Sequence, residues 1–559
     1  MNCKKIFCML TAVSLLVSFA GCVGNTGGGT SSGNASDADS TGTSSAETED
    51  KIISDMFTER DIEVGYDENT DTVITLSDGA TEGGGDDGVA VSGDTVTLTK
   101  AGTYILKGTL SDGSIVVDAD KSDKLHIVLA GVNIAKNSTA PFYVKSADKV
   151  FVTLASDTEN TLTNTGEFTA IDDNNIDACV FAKDDITFNG TGSLTVTSET
   201  GHGIVCKDTL CFTGGTYTVK SERHALSAKD DIRVMDGSFV LSAGKDGLNA
   251  DNDEDDTLGF IYIEGGDFDI TAGDDGMHAG SSLRIVGGNV TVVKSYEGLE
   301  GQTVEISGGN IEVTSSDDGI NAAGDGTSSN PMAKDENAHV RISGGTVHID
   351  AEGDGIDSNG DLYILGGKIT VCGPTSGGDG ALDYGEGATA QITGGTVFAF
   401  GSAGMAENFN SAENQGAALV SLSGNAGDTV SVKNGDGETL ASAKSDKKYE
   451  CVAVSCPGMT ENGSFTLTNG SSEETFTLDG FIYGDSGGFG GRGAFGGKGG
   501  FGGKSDGRGG DSFGEFEPPE GENGEPPELP SGESFTDKDG NSVTRPNGEM
   551  PQENEKGST

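Results

Sequence analysis

Acidic residues recur at two fixed positions in a series of repeated units, each built around a Gly-apolar pair. Two positions before the apolar residue, the first column holds His202, His224, Asp246, Asp275, Glu297, Asp318 and Asp354. One position after it, the second column holds Val205, Ser227, Asn249, His278, Glu300, Asn321, Asp357 and Asp383. If the units stack as strands, equivalent residues lie about 4.8 Å apart. Two bare carboxylates at that spacing repel by about 3.5 kcal/mol at an effective dielectric of about 20.

Three arrangements would relieve this repulsion: the side chains splay into water, their pKa values rise, or a hard cation lies between units. Calcium accepts oxygen ligands from carboxylates, amides and backbone carbonyls, so we predict bound calcium. The candidate ligands are Asp246, Asp251, Asp253, Asp255, Asp256, Asp275, Glu297, Glu300, Asp318, Asp354, Asp357 and Asp383. The best single site is where the acidic insertion 251–256 folds onto Asp246 and Asp275. The alternative is that each Asp-Gly step is only a turn, since Asp binds its own backbone and Gly accepts positive φ.

Basic and aromatic residues near the columns suggest contacts with sugars. Lys183, Lys207 and Lys229 are in register, and each is followed by Asp. They are candidates for a basic strip that binds acidic sugars, or for the base of a lyase; a ladder of weak surface ion pairs is the alternative. Tyr296 and Tyr384 adjoin acidic turns and are candidates for stacking on sugar rings, although the chain contains no Trp. No catalytic residue is predicted.

The elements that position these columns are short strands. The apolar residues Ile204, Leu226 and Leu248 follow one another at intervals of 22 residues (226 − 204 and 248 − 226). Apolar and polar residues alternate within each unit, which indicates strands, and Gly-Gly steps separate them. This period predicts an all-β fold, a solenoid of parallel β-helix type, with regular coils over 177–405. A propeller blade would need roughly twice the period.

The segments on either side of the regular coils differ in pattern. Residues 56–176 contain alternating strands that fit the repeat poorly, so we expect irregular first coils or a cap. Residues 418–480 alternate without the Gly-Gly step and predict a small C-terminal β unit that covers the open edge. The Gly/Pro/Glu-rich residues 484–559 are expected to be a disordered tail.

The N-terminus has the composition of a targeting segment. Lys4 and Lys5 precede a short apolar stretch that ends in Phe19-Ala20-Gly21-Cys22, which resembles a bacterial lipobox. Residues 1–22 are therefore expected to be a lipoprotein signal peptide, with lipidation at Cys22 and a flexible linker over 23–55. Two acyl chains make a stable membrane anchor. An ordinary cleaved signal is the alternative.

Composition limits the partners. The chain of 559 residues carries a formal net charge of −56, so nucleic acid and anionic membrane surfaces are repelled. We expect no nucleic-acid partner, membrane contact only through the lipid anchor, a monomer, and an extracellular location at the cell surface. The six remaining cysteines show no metal-binding spacing and predict packing positions or an occasional disulfide: Cys179, Cys206, Cys211, Cys372, Cys451 and Cys456.

Several separate motifs resemble one protein family. They are Lys145–Leu154, Glu159–Leu162, Ala170–Asn175, Lys183–Ile186, Gly201–Ile204, Gly244–Leu248 and Asp317–Ile320. Together they resemble the bacterial secreted carbohydrate-binding β-helix lipoproteins, which are related in shape to pectate lyases, over roughly residues 55–400. The resemblance implies a right-handed parallel β-helix, calcium ions between coils, and binding of a plant polysaccharide of the cellulose or polygalacturonate class.

We therefore expect non-catalytic, calcium-dependent binding of plant cell-wall or acidic polysaccharide at the bacterial cell surface. A calcium-dependent, pectate-type polysaccharide lyase is one alternative, in which a lysine takes a proton beside a calcium-bound uronate. A structural surface adhesin or spacer is the other, since the linker and tail would suffice for it.

Overall fold

The computed structural model describes residues 54, 56–83, 88–170, 175–323 and 333–484, and the backbone of 535–536 and 542–543. The predicted signal peptide with Cys22, nearly all of the linker and most of the tail lie outside these residues. The chain divides into two units, residues 1–493 and 494–559. In the second unit, strands Phe535–Thr536 and Ser542–Val543 pair in antiparallel fashion. Among the described residues, no helix is both long and apolar enough to cross a membrane.

The first unit is all-β, as predicted. In the part of the chain that the structure describes, its only helix is the single 3₁₀ turn Glu59–Ile62. Most strands belong to one sheet of 35 strands, in which almost every pairing is parallel. Each strand pairs with the equivalent strand of the next repeat, so that three ladders run through the sheet.

The strands of each ladder are as follows. The first ladder contains Thr95–Leu98, Ser114–Asp118, Phe142–Ser146, Ala178–Ala182, His202–Cys206, Leu226–Ala228, Leu248–Ala250, Ile320–Ala322 and Ile356–Ser358. The second contains Thr72–Leu76, Lys149–Leu154, Asp185–Gly190, Phe260–Ile263, His339–Ile342, Asp361–Ile364, Ala390–Ile392 and Ser411–Ala412. The third contains Glu159–Asn164, Ser193–Ser198, Asp267–Thr271, Asn289–Ser295, Asn310–Ser315, Thr346–Ala351, Lys368–Cys372 and Thr396–Gly401.

Longer strands bend from one ladder into the next. Met277–Ile285 and Leu299–Ile306 join the first ladder to the second. The second and third are joined by Gly102–Leu110, Lys124–Lys136, Thr209–Ser221 and Asp231–Ala243. Val89–Ser92 pairs in antiparallel fashion with the first strand of the first ladder.

The aligned apolar residues of the repeat fill the interior. Leu226 pairs with Leu248, Leu248 with Met277, and all three side chains are 0% exposed. The strand alternation therefore places one face of every ladder in a continuous apolar core. The Gly-Gly steps turn the chain between the second and third ladders. At Gly345 φ is 83°, and a Cβ there would stand 2.9 Å from the backbone of Gly308, so only glycine fits.

The N-terminal region is more regular than the sequence indicates. Parallel pairing already begins at Thr72–Leu76, within the range 56–176 that was expected to be irregular or a cap. Ahead of it, the 3₁₀ turn lies on the outer face of the second ladder. There the buried Asp61 accepts bonds from Thr187 Oγ1 at 2.7 Å and Lys149 Nζ at 2.9 Å.

The C-terminal region divides between two sheets instead of forming the one unit predicted for 418–480. Cys451–Ser455 pairs in antiparallel fashion with both Thr396–Gly401 and Ala417–Val420, and Ile482–Tyr483 adds beside the latter. A separate antiparallel sheet has the strand order Thr439–Lys444, Thr429–Lys433, Ser464–Thr468 and Glu473–Thr477. We call it the C-terminal sheet. The antiparallel strand ends the third ladder because it occupies the edge that another parallel strand would use.

Candidate functional site

The first ladder places the second acidic column in one line. Asn249 pairs with His278, and His278 with Glu300. The pairing continues through Asn321 to Asp357, and a bridge between Ile356 and Leu382 brings Asp383 next in line. The predicted register of this column is therefore present in the structure.

Residues of the first column are linked by hydrogen bonds from the backbone of one residue to the side chain of the residue before it in the column. The backbone N–H of Asp275 donates to Asp246 Oδ1 at 3.1 Å, and that of Asp354 donates to Asp318 Oδ1 at 2.7 Å. Glu297 donates in the same way to Asp275 Oδ1 at 3.4 Å. Each of these carboxylates thus accepts a hydrogen bond from a backbone N–H in the turn of the following repeat. The turn interpretation and the stacked column therefore describe the same arrangement.

Histidines lie beside the acids in the early part of the columns. His224 Nδ1 lies 2.9 Å from Asp246 Oδ2. His278 Nδ1 bonds Glu300 and lies 3.4 Å from Asp275 Oδ2. Burial lowers the pKa of His278, but the bonds to Asp275 and Glu300 outweigh it and raise that pKa to about 11. An imidazolium therefore supplies the positive charge between these two carboxylates.

The acidic insertion does not fold onto Asp246 and Asp275, so the predicted contribution of the insertion to that cation site is wrong; Asp246 and Asp275 instead share a metal-sized cluster with Asp274. Asn252 Nδ2 donates to Asp230 Oδ1 at 2.9 Å, and Glu254 Oε2 lies 2.6 Å from Lys229 Nζ. The strand Leu248–Ala250 separates the two places, because Asp246 precedes it and the insertion follows it. Among the described residues, no metal-sized cluster includes Asp251, Asp253, Asp255 or Asp256.

Carboxylates without a basic partner in their cluster collect further along the columns. Asp318, Asp354 and Asp357 have ligand oxygens within 4.8 Å of one another. Burial, then repulsion from neighbouring acids including Asp383, raises the pKa of Asp354 and of Asp357 to about 8. The pKa of Asp318 rises to about 6 for the same reasons, although a backbone bond from Asp354 opposes the rise.

Two further residues turn toward this group. Burial and the charges of Asp383 and Asp354 raise the pKa of Glu407 to about 8. Within the described part of the chain, the buried atoms Glu407 Oε2 and Asn321 Oδ1 have no hydrogen-bond partner. Asn321 uses its Nδ2 to donate to Glu297 Oε2 at 2.9 Å, which leaves Oδ1 available. We call Asp318, Asp354, Asp357, Asp383 and Glu407 the acidic cluster. Its donors are all oxygens, which suit calcium.

A polar groove opens beside the second column. Its volume is about 840 Å³. His278, Glu300 and Gln302 line it from the strands, as does His339. Asn252 and Asp256 line it from the insertion 251–256, and Glu336 and Asn337 line it from the segment before strand His339–Ile342. The insertion 251–256 therefore does lie beside the columns, where it faces His278 and Glu300 of the second column.

The three lysines lie on an earlier part of the first ladder. The backbone N–H of each lysine donates to a backbone oxygen of the preceding strand of the ladder, in register. In the next repeat, Asp251 occupies this position. Lys207 Nζ lies 5.6 Å from the ring centroid of Phe181, and Lys229 pairs with Glu254. None of Lys183, Lys207 and Lys229 is among the described residues that line the groove.

The two tyrosines differ in exposure. Tyr296 is 48% exposed, and a bond to Asp317 raises its pKa to about 12. Tyr384 is half-buried against the apolar core, and its hydroxyl donates to the backbone oxygen of Asn408 at 2.9 Å. Tyr296 thus keeps a ring face for a ligand, whereas much of Tyr384 is used in packing.

Sequence reasoning missed Glu407, Gln302 and His339. Glu407 follows the last regular repeat, so no column alignment includes it. Gln302 lies at the bend between the first and second ladders, and His339 lies on the second ladder, where polar positions were not aligned. The signal that could have found these two is the insertion 251–256, because it follows a strand of the first ladder and borders the surface beside it.

Comparison with known proteins bears on this surface. Residues 92–327 match the sequence model of the carbohydrate-binding domain family. A carbohydrate-binding domain-containing protein of Acetivibrio thermocellus is 44% identical over 137 residues, which are 24% of this chain and 48% of that protein. The chain thus spans about half the length of that relative. A solved structure of a polysaccharide lyase-like protein from C. thermocellum, a gadolinium derivative, is 35% identical and covers 39% of this chain and 90% of its own, with a TM-score of 0.38.

The matched range covers part of the groove and part of the acidic cluster. His278, Glu300 and Gln302 of the groove lie inside residues 92–327, whereas His339, Glu336 and Asn337 lie beyond its end. Of the five residues of the acidic cluster, Asp318 lies inside the range and the other four beyond it. The match therefore covers more of the groove than of the acidic cluster.

Proposed function

We propose that this protein binds an acidic or plant cell-wall polysaccharide of the cellulose or polygalacturonate class, without catalysis and with calcium, at the bacterial cell surface. The three parallel ladders are, in this proposal, the faces of a right-handed parallel β-helix. The observation that carries the proposal is the open polar groove of about 840 Å³, whose residues His278, Glu300 and Gln302 lie inside the carbohydrate-binding match. An open groove with hydrogen-bonding walls suits a chain-like ligand whose ends extend past it.

The groove can bind sugars through several polar groups. Gln302 and Asn337 offer amide donors and acceptors for hydroxyls. His278, which carries a proton because its pKa is raised to about 11, offers a positive charge for a uronate carboxylate. Glu300, Asp256 and Glu336 accept from sugar hydroxyls but repel uronates. An additional cation near this wall would therefore favour acidic chains.

Calcium in the acidic cluster would supply that charge. Along the second column, Glu300 of the groove and Asp357 of the cluster are separated by one residue, Asn321, so they lie about 10 Å apart at the usual strand spacing. The unpartnered oxygens Glu407 Oε2 and Asn321 Oδ1 support this placement. In this proposal the carboxylates of Asp354 and Asp357 hold the ion.

A sedimentation assay tests the function. We expect purified residues 56–484 to co-sediment with calcium-pectate gel. Treating the protein with excess chelator and then exchanging the buffer should lower the bound fraction at least tenfold when soluble polygalacturonate competes for the protein. Insoluble cellulose run in parallel identifies which class is bound. Failure to retain the protein on any of these polysaccharides, with calcium present, would refute the binding function.

The lyase alternative lacks support in the groove. Among the described lining residues there is no lysine or arginine beside His278 and Glu300. We therefore expect no unsaturated sugar product when polygalacturonate and calcium are incubated with the protein and ultraviolet absorbance is followed. Sustained, protein-dependent product formation would contradict non-catalytic binding.

The surface location rests on Cys22. We expect the full chain to partition into the detergent phase when it is expressed in a bacterium that processes lipoproteins, because two acyl chains anchor it. Cys22→Ala should move it to the aqueous phase and the medium. A Cys179→Ala variant, which changes a buried thiol of the folded part, is the matched control and should remain anchored. Equal partitioning of the Cys22→Ala protein with the parent would argue against lipidation.

A further inference from the structure

A second cluster of ligand-type side chains lies away from the groove, where the C-terminal sheet covers the third ladder. His348, Cys372 and Asp446 each offer one ligand atom, and the three atoms lie within 4.8 Å of one another. His348 comes from strand Thr346–Ala351, Cys372 from the neighbouring strand Lys368–Cys372, and Asp446 from the segment after Thr439–Lys444. The cluster therefore includes atoms from both sheets.

The strand alternation explains why two of these side chains face the C-terminal sheet. Val347 and Ile349 point into the apolar core, so His348 between them points outward. Val371 also points inward, and Cys372 after it packs in the separate apolar cluster between the ladder and the C-terminal sheet. The outward face of the third ladder thus presents an imidazole and a thiol side by side.

The segment that contributes Asp446 is held on the ladder by its neighbours. Lys447 Nζ lies 2.7 Å from Asp350 Oδ1 and 3.0 Å from Glu352 Oε1, and it donates to the backbone oxygen of Ala351 at 2.5 Å. On the other side of Asp446, the Ser445 hydroxyl is buried and donates to the backbone oxygen of Lys447 at 2.7 Å. These contacts fix the carboxylate of Asp446 beside the ladder.

The distances suit a tetrahedral metal ion. With zinc bonds of about 2.0–2.3 Å, ligand atoms around one ion stand roughly 3.3–3.7 Å apart. His348 Nε2 lies 3.0 Å from Asp446 Oδ2, and the Cys372 Sγ lies within 4.8 Å of both ligand atoms. Small rotations of half-exposed side chains would therefore bring all three donors to bonding distance. The exposed fractions of the His348 and Asp446 side chains, 35% and 40%, leave an entry path from solvent.

The donor types select the metal. One imidazole nitrogen, one thiolate sulfur and one carboxylate oxygen form a mixed set that favours zinc and similar divalent transition metals over calcium. Three protein ligands leave a fourth position for water. Burial raises the pKa of the Cys372 thiol, so its proton is released to water when the metal–sulfur bond forms.

We propose that His348, Cys372 and Asp446 bind a zinc-like divalent transition-metal ion that joins the C-terminal sheet to the third ladder. This site is separate from the acidic cluster in position and in ligand chemistry. It needs neither the groove nor a bound polysaccharide.

Cobalt titration tests the site directly. The full chain is stripped of metal, saturated with calcium to fill oxygen-only sites, and titrated with Co²⁺. We expect one equivalent to produce a sulfur-to-cobalt absorption band in the near ultraviolet and visible bands of a tetrahedral ion, and Zn²⁺ to abolish both. Cys372→Ser should remove the sulfur band, and His348→Gln should weaken cobalt binding at least tenfold.

Cys456→Ser is the matched control, since Cys456 is a buried free cysteine of the same apolar cluster. It should keep the full cobalt spectrum. If Cys372→Ser fails to fold, His348→Gln decides the question, because it changes a half-exposed side chain. The proposal is overturned if the parent shows no sulfur band, if the band survives Cys372→Ser, or if His348→Gln binds cobalt as the parent does.

Discussion

Removing calcium is expected to lower the melting temperature of the protein, and the loss should grow as the pH rises from about 5 to about 8. The cause is the acidic cluster. In the folded chain burial and mutual repulsion raise the pKa of Asp354 and of Asp357 to about 8 from an ordinary value of 3.8. Glu407 rises to about 8 from 4.5. Without a cation, these carboxyls must keep protons for the fold to be stable.

The sign follows from proton binding in the two states. Between the unfolded pKa near 4 and the folded pKa near 8, the folded chain binds more protons than the unfolded chain. The free energy of unfolding therefore falls as the pH rises through that window. A calcium ion replaces the protons, so the fall should be small with calcium present. At a concentration one hundred times Kd, binding stabilises the fold by about 2.7 kcal/mol, which corresponds to several degrees for a domain of this size.

Asp357→Asn sharpens the test because two effects of the substitution have opposite signs. In chelator at pH 8 the variant should melt above the parent, since one repelling charge is gone. In calcium it should melt below the parent, since one ligand is gone. Asp269→Asn, which removes an exposed acid from a strand of the third ladder, should change neither value appreciably. Melting curves of the parent that coincide with and without chelator at pH 8 would contradict calcium binding.

The repeated part of the fold could be predicted because one pattern determines both pairing and burial. A period of 22 residues aligns Leu226 with Leu248, and the same period places His278 beside Glu300. Shifting the register by one residue would turn the apolar side chains outward, so the sequence permits one alignment. The second acidic column is a consequence of that alignment.

Residues outside the pattern could not be positioned in this way. The insertion 251–256 carries only acids and turn formers, and its direction depends on bonds to Lys229 and Asp230 of the preceding repeat. Glu407 follows the last aligned unit, and its contact with the cluster is made only in three dimensions. The Asp61 carboxylate meets Lys149 across 88 residues (149 − 61), and nothing local indicates that pairing. Each of these is a single long-range contact without a repeated counterpart.

In the proposed function, a strongly acidic protein would bind an acidic polymer through local positive charge. His278 supplies a fixed positive charge within the wall, although Asp275 and Glu300 hold it. The nearby acidic cluster would present calcium with vacant coordination positions. Because Asp275 and Glu300 already balance the charge of His278, that calcium would supply the local positive site on a chain whose formal net charge is −56. Selectivity for uronates over neutral glucans would then depend on calcium, whereas the amides of the groove would contribute to the binding of both kinds of polysaccharide.

Substitutions in the groove are expected to reduce polysaccharide affinity at least tenfold. Gln302→Ala removes an amide that lines the groove, and His278→Ala removes the positive charge. A hydrogen bond to a charged group contributes about 1.5–3 kcal/mol, which corresponds to a change in Kd of roughly ten- to one-hundredfold. The change should be larger for His278→Ala on polygalacturonate than on cellulose. Isothermal titration with soluble oligosaccharides in calcium measures it.

Lys207→Ala separates the groove from the lysine strip indicated by the sequence. Lys207 lies on the first ladder outside the groove, over the ring of Phe181, so its loss should leave affinity within about twofold of the parent. Because His278→Ala leaves Asp275 and Glu300 unneutralised, its melting temperature must be measured beside its affinity. If His278→Ala is unstable, Gln302→Ala, which exposes no charge, distinguishes binding in the groove from binding along the lysine strip. If Lys207→Ala lost affinity while Gln302→Ala bound normally, the polysaccharide would lie along the lysine strip and not in the groove.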